Sequence, residues 1–149
     1  MPSKLPLDTL IEMARDSTDK AARVLGELSA QRQHAARQLE MLREYRQDYL
    51  QRLQSALQSG LSAADCHNYQ RFIATLDEAI AQQLVALERA DAQLADGRLA
   101  WQREKRRLSS FDTLLGREQR AQAVRDMRRE QRANDEYSNR LTRRHAGMH

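Results

Sequence analysis

Ser59-Gly60-Leu61-Ser62 is the one short break between two long heptad tracts, and its reading decides the fold. Upstream, a seam runs through Leu7, Ile11, Ala14, Thr18, Ala21, Leu25, Leu28, Arg32, Ala35, Leu39, Leu42, Arg46, Tyr49, Leu53 and Ala56. Downstream, a second runs through Tyr69, Ile73, Leu76, Ile80, Gln83, Leu87, Ala90, Leu94, Gly97, Trp101, Glu104, Leu108, Phe111 and Leu115. Both alternate steps of four and three, the period of a left-handed coiled coil. Gly60 suits the left-handed position that ends a helix. Ser62 with Asp65 three residues on resembles a capping box that starts the next. Two arms of roughly 75–80 Å each at 1.5 Å per residue, joined by so short a break, favour an antiparallel hairpin. The competing reading, one continuous helix in a parallel dimer, is opposed by Gly60.

The expectation is therefore an all-α, antiparallel two-helix coiled-coil hairpin with a projecting basic C-terminal helical tail, one domain over 1–149. Helix 1 spans about 7–58, the hinge 59–62 and helix 2 about 63–139, with 140–149 disordered. Pro6 and Asp8 sit at the start of the first helix, where proline is tolerated and an acid suits the dipole. The composition agrees: 31% of residues are charged, only 5% are aromatic, and both prolines precede the first tract. Such a hairpin should be only marginally stable alone, with a partner to hold it in place. Cys66 is the sole cysteine, so no internal disulfide can form and a reducing, cytoplasmic setting fits. There is no apolar run that would serve as a signal peptide or span a bilayer, so any membrane association should be peripheral.

A seam this narrow encloses no pocket, which points to contacts with other proteins. The five glycines are scattered and form no phosphate loop. Cys66 and His67 are adjacent, and neighbouring helical residues point apart, a poor metal site. The expectation is no catalytic residue, no metal and no cofactor.

Folding the arms about the hinge pairs residues whose numbers total about 121. Beside the seam, Gln38, Leu42, Tyr45 and Tyr49 form a stripe on helix 1. Phe72, Leu76, Ala79 and Gln83 form one on helix 2. The pairing sets the two side by side, with no third layer to cover them. A contiguous apolar and aromatic surface of this kind marks a partner site; a homodimer contact or a widened seam is the plainer reading. Arg32 and Arg46 interrupt the seam, either as ordinary imperfections, the plainer reading, or by snorkelling or pairing across the hairpin and helping to fix its register.

Charge is unevenly placed. Residues 117–149 carry nine arginines against five acids, so the whole net excess of +4 lies in the tail, beyond the reach of helix 1. That tail should either be a solvated helix or order against another protein. An acidic protein surface, nucleic acid or anionic lipid could receive it. Interleaved acids and a single aromatic, Tyr137, argue against nucleic acid.

The runs Ala21–Leu28, Gln38–Tyr45 and Asn68–Ile80, Trp101 with its following basic residues, and the length together resemble the flagellar FliJ family of the bacterial type III export apparatus. The Tyr69-Gln70-Arg71-Phe72-Ile73 block after the hinge is the most specific part. The resemblance covers nearly the whole chain. It implies a non-enzymatic, cytoplasmic stalk similar to the γ subunit of rotary ATPases, peripheral on the inner membrane. It implies binding to the hexameric export ATPase, to the cytoplasmic linker of the membrane export gate, and to export chaperones, by a monomer. The family's gate-binding surface corresponds to Gln38, Leu42, Tyr45, Tyr49, Phe72, Leu76, Ala79 and Gln83. Some relatives carry histidine where this chain has Gln83, which donates but cannot charge. The stalk end entering the ATPase ring would combine the N-terminal turns with Arg120, Arg125, Arg128, Arg129 and Arg132. The stalk of a virulence injectisome and a generic coiled-coil scaffold remain as alternatives.

Overall fold

The computed structural model describes residues 6–147. It contains two helices, α1 (Leu7–Gln58) and α2 (Ala63–Ala146), packed against each other as a hairpin without strands among the described residues. The hinge follows the local chemistry of its residues. Gly60 adopts φ +86°, the left-handed conformation that a Cβ disfavours. The Gly60 amide donates to Leu57 O at 3.4 Å and the Ser59 amide to Ser55 O at 3.2 Å, closing the last turn of α1. Across the break, Ser62 Oγ accepts the Asp65 amide at 3.2 Å and Ser62 O accepts the Cys66 amide at 3.0 Å, so Ser62 caps α2. At the other end of α1, Pro6 O accepts the Leu10 amide at 3.2 Å, and Asp8 lies in the first turn.

The chain separates into two compact units. The larger, Ser17–Glu104, holds the hinge and most of both arms. Its core is a single file of seam residues, with Ala35, Leu39, Ile73, Leu76 and Leu94 each at most 9% exposed. Gly97 is buried in the same file. A Cβ at Gly97 would lie 2.6 Å from Leu28 Cδ1, so the leucine fills the space a side chain would take. Among the described residues, no large side chain is fully buried, as expected where two helices lack a third layer.

Ion pairs cross the seam of this unit among the described residues. Arg32 Nε donates to Asp91 Oδ1 at 2.8 Å, and Arg46 Nε to Asp77 Oδ1 at 2.5 Å. Of the readings of these arginines, the structure adopts cross-hairpin pairing. Gln83 Nε2 also bridges the arms, donating to Ala35 O at 2.9 Å.

The second unit joins residues up to Asp16 with those from Lys105 onward. Ile11 and Ala14, each 4% exposed, are buried on α1, and Leu108, Phe111 and Leu115 are half-buried on α2. Pro6, Leu7 and Asp8 share a shallow groove with Leu115, Glu118, Gln119 and Gln122, so the first turn of α1 reaches slightly beyond Gly116. From Arg117 to Gly147 every residue is exposed.

Helix α2 continues to Ala146 and passes the expected end at 139, so residues 140–146 are helical where disorder was expected. Helix-forming residues run on without a proline, and Arg143, Arg144 and His145 suit the negative end of the dipole. The expectation for 148–149 lies outside the described residues.

Candidate partner-binding surfaces

Beside the seam of the larger unit, the heptad geometry places one stripe residue of each arm next to its counterpart. The Tyr49 and Phe72 rings stack with centroids 4.2 Å apart and an interplanar angle of 32°. Tyr69 joins them, its centroid 6.2 Å from that of Tyr49, and the Arg52 guanidinium lies 5.3 Å from the Tyr49 ring. Such aromatic contacts fix ring positions and leave large apolar faces turned to solvent. Phe72 stays 42% exposed and Tyr45 51%.

The eight stripe residues are not equivalent. Gln38, Tyr45 and Phe72 are exposed, whereas Leu42, Tyr49, Ala79 and Gln83 are half-buried. Leu76 is buried at 7% exposure: it is a seam residue and contributes little surface of its own. Gln83 spends an amide hydrogen on Ala35 O, so it supports the hairpin as well as edging the stripe.

Two open grooves flank the aromatic pair. One, about 550 Å³, brings together Gln38, Leu42, Tyr45 and Gln83 with His34, Arg37 and Met41. The other, about 480 Å³, lies toward the hinge between Tyr49, Phe72 and Tyr69, with Arg52, Leu61, Asp65 and Asn68 at its edges. Met41, 52% exposed, was not among the residues expected here. Its signal was available: it precedes Leu42 as Tyr45 precedes Arg46.

In the other unit, the seam line continued past Leu115 passes through Glu118, Gln122, Arg125, Arg129 and Arg132. Apolar knobs give way to guanidinium groups, which explains why the coiled coil has no further core to offer. Arg120, Arg125, Arg128, Arg129 and Arg132 are all exposed. Arg120 Nε donates to Gly116 O at 3.2 Å and Arg125 Nη2 to Gln122 Oε1 at 2.7 Å, contacts within one helix. Val124, Met127 and Tyr137 are exposed on the same segment, at 46%, 70% and 65%. No helix is long and apolar enough to cross a membrane among the described residues.

The described residues thus form a two-helix hairpin with open grooves beside its seam and an exposed arginine-rich extension. The family model for the flagellar FliJ protein matches residues 3–147. The flagellar FliJ proteins of Salmonella typhi and of Escherichia coli (strain K12) are each 33% identical over 138 residues, covering 93% of this chain and 94% of theirs. The chain belongs to the flagellar FliJ protein family.

Proposed function

We propose that this chain is the stalk of the flagellar type III protein-export apparatus, a non-enzymatic component that binds and stimulates the hexameric export ATPase and couples it to the membrane export gate. Family membership supports a place in flagellar export. The observation that carries the coupling role is the exposed aromatic stripe, in which Tyr49 and Phe72 from opposite arms stack while Tyr45 stays open. A surface of anchored aromatics is the kind that holds binding energy, and the cytoplasmic linker of the gate is its assigned partner. The stripe residues are Gln38, Leu42, Tyr45, Tyr49, Phe72, Ala79 and Gln83, with Leu76 supporting them from the seam.

Arg120, Arg125, Arg128, Arg129 and Arg132 are assigned to the ATPase ring. Guanidinium groups pair with carboxylates in a fixed fork geometry, and an unpartnered cationic helix suits an acidic protein channel. The protein acts as a monomer, in the cytoplasm and on the cytoplasmic face of the inner membrane through its partners, and escorts export chaperones. The test is ATP hydrolysis by the purified export ATPase with and without this protein. Stimulation is expected, and an unchanged rate would contradict the stalk role.

A further inference from the structure

The ion pairs Arg32–Asp91 and Arg46–Asp77 share one geometry. Arg32 and Arg46 occupy seam positions two heptads apart on α1. Their partners Asp91 and Asp77 each follow a seam position, Ala90 and Leu76, and are also two heptads apart on α2. The side chains are 38% to 52% exposed, so each pair adds little to stability. A charged residue at a seam position weakens a coiled coil yet specifies its register. That specification is needed here, because sliding one arm by a heptad keeps every seam position in the seam.

The alternatives can be read from the sequence. A slip of one heptad in either direction sets Arg32 against Leu84 or Arg98, and Arg46 against Gln70 or Leu84. Both carboxylates are lost each time, and one slip brings two arginines together. The same slips move Leu28 off the buried Gly97 notch, leaving it against Ala90 or Glu104. The hinge alone gives only local resistance, since such a slip moves its centre by about one helical turn.

We propose that Arg32–Asp91 and Arg46–Asp77 are positioning pairs that select the single hairpin register in which the Tyr45–Tyr49 side of α1 adjoins Phe72. Their functional consequence rests on the stripe being the gate-facing surface; the register role itself does not. Losing the pairs lets slipped hairpins coexist with the native one and divides the stripe between mismatched halves.

The test uses the full chain with Cys66→Ser and spin labels on cysteines replacing Arg23 and Ala74, two exposed positions offset along the hairpin. A one-heptad slip displaces the arms by about 10 Å, which pulsed electron resonance resolves. Arg32→Leu with Arg46→Leu makes the seam more apolar and keeps the chain helical. It is expected to add a distance population shifted by about 10 Å and to weaken gate-linker binding in proportion to the slipped fraction. Exchanging charges at all four positions (Arg32→Asp, Arg46→Asp, Asp77→Arg, Asp91→Arg), with Arg98→Ala so that the slipped register offers residue 32 no cation, should restore one native distance. A single native distance in the double-leucine variant overturns the proposal, as does a failure of the exchange to restore it. Slipped distances with undiminished binding uphold the register role and remove the stripe assignment instead.

Discussion

Leu28 fills the place of a side chain at Gly97: its Cδ1 lies 2.6 Å from where a Cβ would stand. The contact is a knob seated on a glycine. Gly97→Leu should therefore overpack the seam and destabilise the hairpin by about 1–3 kcal/mol. Adding Leu28→Ala should recover part of that loss. Thermal unfolding of the two variants followed by circular dichroism checks both directions.

Gly26 and Gly60 give opposite expectations for the same substitution. Gly26 lies mid-helix and exposed, with nothing within 4 Å of an added Cβ. Gly26→Ala should stabilise by about 1 kcal/mol through helix propensity alone. Gly60 has φ +86°, and Gly60→Ala should cost about 1–2 kcal/mol. Denaturant titration of both variants would show midpoints moving in opposite directions.

Ser62 accepts the Asp65 amide at 3.2 Å and begins α2. Ser62→Ala should cost about 1 kcal/mol. The loss should be local, with faster amide exchange at residues 63–66 and unchanged protection near Leu94.

Heptad spacing made the fold legible because burial in a two-helix hairpin follows one line. Every seam position from Leu7 to Ala56 and from Tyr69 to Leu115 is buried or half-buried. The hinge was equally readable, since Gly60 and Ser62 act through local backbone chemistry. Spacing alone did not decide whether Arg32 and Arg46 found partners, because that depends on how long side chains cross the seam. It also credited Leu76 to the open surface, although Leu76 is buried, whereas Leu42, Tyr49 and Gln83, which share seam and stripe as well, are half-buried. Met41 follows from the same spacing, since it precedes Leu42 as Tyr45 precedes Arg46, and it is likewise exposed. Helix α2 runs past the expected end at 139 because helix propensity and the basic last turn sustain it without a further core.

The tail and the stripe should separate by function. A chain ending after Gln122 keeps the groove at the first turn of α1 and removes Arg125, Arg128, Arg129 and Arg132. It should lose most stimulation of the export ATPase while binding the gate linker as the full chain does. Steady-state hydrolysis and linker binding, measured on the same preparation, check this; unchanged stimulation would remove the tail's assigned role.

The most direct measurement for the central claim is binding of the purified gate linker to the Tyr45→Ala, Phe72→Ala variant, with helicity followed in parallel. Both side chains are well exposed, so their loss should leave the hairpin folded. Truncated anchor residues typically cost about 2 kcal/mol or more at an interface, so binding should fall at least about tenfold at full helicity. Undiminished binding, or melting of the hairpin, would contradict the assignment of this stripe as the gate-facing surface.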